Sequence, residues 1–147
     1  MYNIGYDIGS SSVKAAIIEV KTGKQIALTH EPDGEMGMIS PENSWAEQDP
    51  ELWWKLVCLA TKKLLKQTGI NSKKINGIGI AYQMHGLVVV DHNGTPLRNA
   101  IIWCDSRAVA IGNEAFKALG TKKCKEHLLN SPANFTASRL KWVRDNE

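Results

Sequence analysis

The chain has 147 residues, 43% of them hydrophobic and 22% charged, with a formal net charge of +3. That length and balance suit a soluble globular domain with a real core, and they exclude a disordered tail or a bundle of membrane spans. The mild charge, with basic residues scattered apart from pairs such as Lys62-Lys63 and Lys122-Lys123, argues against a nucleic-acid partner.

Tyr2–Ile8, Val13–Val20 and Gln25–His30 read as three strands joined by short turns, which implies an antiparallel meander at the start of a sheet. The first turn is Gly9-Ser10-Ser11-Ser12, backed by Asp7 and followed by Lys14. Gly9 allows a positive φ at no steric cost, and successive N–H groups in such a turn can form a concave anion site to which the Ser10, Ser11 and Ser12 hydroxyls add donors. Asp7 would repel a bare phosphate, so the motif suggests a bridging divalent cation, Mg²⁺. An ordinary hairpin turn has the same composition, and the turn alone does not separate the two readings.

Periodicity disappears from Glu31 to Gln48, where Pro32, Gly34, Gly37 and Pro41 mark an irregular excursion. Asp49-Pro50 then opens a helix whose apolar face is Trp53, Leu56, Val57, Ala60 and Leu64, with Gly69 as its stop. Lys74–Ala81 reads as a buried strand. Gly86–Asp91 is a further apolar run, His92-Asn93-Gly94 a turn, and Leu97–Trp103 a final strand. A second helix shows the face Ala108, Ile111, Ala115 and Leu119, capped by Asp105 or Ser106 and ended by Gly120. Shorter helices near Cys124–Leu129 and from Ser138 onward complete a mixed sheet with covering helices, an α/β domain.

Two further segments bear chemistry. Gln83-Met84-His85-Gly86 follows a strand end, where polar groups face ligand clefts; Gln83 and His85 supply donors and acceptors, and Met84 an adaptable apolar wall. The competing reading is a satisfied core histidine beside a packing methionine. Trp103-Cys104-Asp105-Ser106-Arg107 sets an indole beside an acid and a guanidinium, a combination suited to a carbohydrate. Here the competing reading makes Asp105 a helix cap and Arg107 a surface residue. Trp45 and Glu47 carry no assignable role in the sequence alone. Three cysteines, Cys58, Cys104 and Cys124, are odd in number and lack metal-type spacing, so reduced thiols in a cytoplasmic protein are expected; Met1 leads into the first strand without a signal-peptide layout.

Taken in order, these segments resemble the N-terminal part of the FGGY family of carbohydrate kinases, and within it the xylulokinase branch. The resemblance rests on Gly5–Lys14, on Trp45–Pro50 with Trp53-Trp54, on Gly77–Gly86 with its Gln-Met-His-Gly ending, on Ile101–Arg107 and on Lys141-Trp142. It implies a ribonuclease-H-like, actin-like ATPase fold, with residues 1–147 an incomplete N-terminal domain. ATP and Mg²⁺ are the implied cofactors and a ketopentose the implied substrate, with a homodimer left open and no nucleic-acid or membrane partner. Asp7 would act in catalysis and on the metal, and Gly9, Ser10, Ser11, Ser12 and Lys14 on phosphate. Gln83, Met84, His85, Trp103 and Asp105 would meet the sugar. In glycerol kinases of this family an Arg-Glu pair stands in place of Met-His. Cys104 and Tyr82 depart from the polar and small residues common at their positions. A non-catalytic, ligand-sensing actin-like module is the alternative of a different class. The 147-residue chain alone is expected to be inert, because phosphoryl transfer needs both substrates held in line.

Overall fold

The computed structural model describes all 147 residues, which divide into two compact units: Met1–Gly37 with Pro50–Gln83, and Met38–Asp49 with Met84–Glu147.

The first unit is built on β1 (Tyr2–Ile8), β2 (Val13–Glu19) and β3 (Gln25–Glu31), the meander expected from alternating apolar residues and short turns. The helix α1 (Pro50–Thr68) follows, and β5 (Ile75–Tyr82) returns parallel to β1, giving the sheet order β3-β2-β1-β5. A parallel return needs a long crossover, and α1 supplies it. Ile4, Tyr6, Ala15 and Ile17 point from the sheet toward Ala60 and Leu64 of α1 and form the core with them. Val13, Met36 and Leu56 make a second buried cluster beside it. Gly69, at φ 67°, donates its N–H to the Leu65 carbonyl and ends α1 in the left-handed conformation that glycine adopts without strain. The register pairs Asp7 with Lys14 across β1 and β2, so the acid and the base of the opening motif are neighbours on one face.

β5 departs from the buried strand expected of its isoleucines. Within these 147 residues it pairs with β1 alone and so stands at the sheet edge, with Ile78 64% and Ile80 62% exposed. Together with Tyr6, Ile8, Trp54, Val57 and Cys58 they line an apolar groove. Apolar composition marked the strand correctly, but it could not tell a central strand from an edge.

The second unit holds a small antiparallel sheet of β4 (Glu47–Gln48) and β6 (Ala100–Ile101), with α2 (Val109–Leu119), α3 (Thr121–Leu128) and α4 (Thr136–Asn146). The strands expected over Gly86–Asp91 and Leu97–Trp103 reduce to β6 and two isolated bridges, Leu87 to Ile101 and Val90 to Pro96. Pro96 has no N–H for a ladder, and the register slips between the two bridges, which breaks a continuous pairing. Gly112 lets α2 meet the turn Pro132–Asn134; a Cβ there would lie 2.3 Å from Ala133 Cα. No side chain caps α2, so the expected cap from Asp105 or Ser106 is not made.

Asp105 is instead fully buried and engaged elsewhere. One carboxylate oxygen accepts the Ala46 N–H at 2.6 Å, the other accepts the Arg107 N–H at 2.9 Å, and Arg107 Nε and Nη2 donate to the same carboxylate at 2.8–3.0 Å. Arg107 Nη2 also reaches Glu47 Oε1 at 2.8 Å, and Arg98 bridges Glu47 to Glu147. The Arg107 guanidinium lies 3.8 Å from the centre of the Trp45 ring, and Trp45 meets Trp142 edge to face at 5.1 Å. Burial opposes the Arg107 charge, but hydrogen bonds and attraction from Asp105 and Glu47 outweigh it and raise its pKa above the ordinary arginine value. The same geometry explains Trp45 and Glu47, which the sequence left without a role.

Removing one member of a buried ion cluster strands the others without compensation. Glu47→Ala is expected to lower unfolding stability by about 3 kcal/mol, read by urea denaturation through tryptophan fluorescence. A loss below about 1 kcal/mol would place the cluster with weak surface pairs.

Candidate functional site

In the first unit, the opening motif sits where β1 turns into β2. Gly9 donates its N–H to the Ser12 carbonyl at 3.0 Å, and Ser11 accepts the Met36 N–H at 2.7 Å. None of residues 9–12 has a positive φ, so the left-handed freedom that Gly9 offers is not used. The glycine is needed for space: a Cβ at Gly9 would lie 3.2 Å from the Ser12 carbonyl oxygen. The Gly9 N–H is therefore used by the turn itself, which leaves the serine side chains and Lys14 as the donors best suited to an anion.

Asp7 stands at the end of β1 with its side chain half exposed, 3.4 Å from Lys14 Nζ. No group of three His, Cys, Asp or Glu residues is arranged to hold a metal. A single accessible carboxylate fits a Mg²⁺ that arrives with phosphate and keeps most of its water, as Mg²⁺ ordinarily does. Gln83 lies just past the end of β5, its N–H bonded to the Ile8 carbonyl at 3.0 Å. Both polar atoms of its side chain are closed to solvent and lack a protein partner. Such atoms are seldom left unmet without a ligand or water to take them. Sequence and structure thus bring Asp7, Lys14 and Gln83 to the carboxyl end of the parallel pair β1 and β5, the edge where α/β sheets bind ligands.

In the second unit, Met84 and Trp103 are 66% and 50% exposed, and His85 is exposed as well. His85 takes φ 60°, a left-handed conformation that costs a non-glycine residue about 1 kcal/mol. Its ring stacks on Phe135 at 4.7 Å and 16°. The reading of His85 as a satisfied core histidine is thereby set aside. Asp105 is the exception in this group. Its carboxylate is inaccessible and taken up by Ala46 and Arg107, so it organises the protein and does not face a sugar hydroxyl.

The residue that sequence reasoning missed is Arg139 on α4. It is wholly buried, and it donates to the carbonyls of His85 at 2.6 Å, Trp103 at 2.8 Å and Asp105 at 3.0 Å, and to that of Asn134. Burial lowers its pKa from the ordinary arginine value, opposed by Asp105 and Cys104. Its only sequence signal is a basic residue on the apolar side of a helix, a pattern that surface helices share.

Comparison with known proteins bears on this arrangement. Residues 2–147 match the model of the FGGY family of carbohydrate kinases, N-terminal domain. The chain is 33% identical to a xylulose kinase of Bacillus subtilis (strain 168), covering 99% of this chain and 28% of that protein. It is 35% identical to a glycerol kinase of Thermoanaerobacter pseudethanolicus, covering 99% of this chain and 29% of the relative. Among solved structures, a xyloylose kinase from Brucella ovis superposes with a TM-score of 0.87 at 31% identity, over 99% of this chain and 30% of that one. The chain spans less than a third of the length of the curated relatives it matches. The ribonuclease-H-like, actin-like ATPase fold expected from the sequence is the fold of these neighbours. With its Gly-Ser turn at the end of β1 and its Met-His segment beyond β5, the chain belongs to the FGGY family of carbohydrate kinases.

Proposed function

We propose that this chain is the N-terminal, sugar-binding part of an ATP-dependent kinase that phosphorylates D-xylulose to D-xylulose 5-phosphate. The observation that carries this is the exposed pair Met84-His85, with His85 held in a strained conformation, together with the half-exposed Trp103. Strained side chains persist where their surroundings fix them, and they cluster at ligand clamps. An apolar methionine and an indole face suit the C–H surface of a sugar, while the imidazole bonds a hydroxyl.

Asp7 is assigned to the metal and the transferring phosphoryl group, with Ser10, Ser11, Ser12 and Lys14 as phosphate donors and Gln83 as a polar contact at the same sheet edge. Gly9 serves the turn. Mg²⁺, when bound with ATP, would neutralise charge on the phosphates. Lys14 offsets the Asp7 charge and offers a cation to the same anion. The general base and the adenosine pocket are assigned to sequence beyond this span, which leaves the 147-residue chain inert by itself. A second reading, phosphorylation of another polyol, is favoured by the 35% identity to a glycerol kinase. The Met84-His85 pair supports the ketose over glycerol.

A panel of D-xylulose, D-ribulose, gluconate and glycerol offered to the full-length protein separates these readings. D-xylulose should give the highest kcat/KM, about 100-fold above glycerol; equal or better turnover of glycerol overturns the ketose assignment. In the same protein Asp7→Ala should lower kcat by about 100-fold or more and leave the sugar KM within about threefold. Turnover close to wild type would remove Asp7 from the phosphate site. At position 85, glycine relieves the left-handed strain that alanine keeps, so His85→Gly should unfold at about 1 kcal/mol higher stability than His85→Ala. Both substitutions should raise the sugar KM, and an unchanged KM in both would exclude His85 from the sugar.

A further inference from the structure

We infer that Arg139 is the positioning residue of the sugar site: from α4 it fixes the backbone of the two segments that present His85 and Trp103, and so sets sugar affinity without touching the sugar. This rests on the sugar-site reading of those segments. Nη1 of Arg139 donates to the His85 carbonyl and Nη2 to those of Trp103 and Asp105. One planar fork thus ties together backbone groups that are 18 residues apart, counted from His85 to Trp103. A carbonyl in these loops has few other donors available, because neither segment continues as a strand at those positions.

The start of α4 acts as a single surface toward His85-Gly86. Phe135, at its cap, stacks on the His85 ring; the Thr136 hydroxyl donates to the Gly86 carbonyl at 3.1 Å; and Arg139, one turn on, donates to the His85 carbonyl. Ring, hydroxyl and guanidinium approach consecutive residues from one side. His85 is the residue most in need of such support, because its left-handed backbone would otherwise relax. Asp105 completes the arrangement. Its side chain holds Arg107 while its carbonyl is held by Arg139, so the two buried arginines meet the same residue from its two polar ends. The charge of Arg139 matters as well as its shape, since hydrogen bonds from an ionised donor are the stronger kind.

A lysine keeps the charge but gathers its three donors on one nitrogen in place of a fork, so it cannot meet the four carbonyls that Arg139 reaches. In the full-length protein, Arg139→Lys is expected to raise the sugar KM about tenfold, in line with the loss of one or two charged hydrogen bonds, and to leave the ATP KM within about twofold. Phe135→Leu, which removes the stack under His85 and leaves the guanidinium in place, should shift the sugar KM in the same direction. Amide hydrogen exchange gives a readout independent of turnover: residues 84–87 should exchange faster in Arg139→Lys while those of β1 and β2 do not change. A sugar KM within twofold of wild type in a folded Arg139→Lys protein overturns the inference, as does a parallel rise in both KM values. If Arg139→Lys does not fold, Arg139→Gln, which keeps donors without the charge, decides in the same way: a selective rise in sugar KM supports the inference and an unchanged KM overturns it. If the wild-type protein phosphorylates no sugar, the kinase reading has failed. The positional role of Arg139 then stands or falls on the exchange result.

Discussion

Burying a guanidinium is costly unless its donors are met, and the second unit buries two. Arg107 is held by Asp105 and Glu47 and laid on the Trp45 ring, while Arg139 is held mainly by backbone carbonyls. Arg107 Nη1 and Arg139 Nε have no protein partner, and much else in that unit follows from meeting the remaining donors of these two charges. Glu47 must reach the interior, so β4 pairs with β6 beside it. Asp105 must turn its carboxylate inward, so the residues around it leave the strand and do not cap α2. α4 must bring Arg139 up to the loops, and its first turn therefore carries Phe135 and Thr136 to the same place.

This gives the proposed sugar-binding residues a physical footing different from that of the Gly-Ser turn. Met84, His85 and Trp103 stand on loops, which are mobile by default, yet the backbone of His85 and Trp103 is tied to a buried charge. A loop fixed in this way can present a strained residue in one orientation, which reduces the ordering cost when a ligand binds. The turn after β1 needs less support. It is a short hairpin connection whose ends are set by the register of β1 and β2, closed by the bond from Gly9 to Ser12 and joined by the Met36 N–H at Ser11.

The legible parts of the sequence were those governed by local chemistry. The meander, α1 with its proline start and glycine stop, and the return strand β5 are each written in short-range patterning, and they were found nearly to the residue. The opening motif and the Met-His segment lie at the ends of β1 and β5, the placement expected from the strand patterns before them. Three things were not legible. The edge position of β5 depends on which strands pair with it, which apolar content does not encode. The breakdown of pairing around Pro96 depends on a register slip that only the folded loop reveals. The roles of Glu47, Asp105 and Arg139 depend on contacts across 34 to 60 residues of sequence, where a buried charge looks the same as a surface one until its partner is known.

The most direct measurement is a crystal structure of the full-length protein with D-xylulose bound. The expected result is sugar against Met84, His85 and Trp103, with the Asp105 carboxylate still on the Ala46 N–H and Arg107, and Arg139 still on the His85 and Trp103 carbonyls. A sugar hydroxyl bonded to Asp105 in place of those partners, or a sugar bound away from His85, would contradict it.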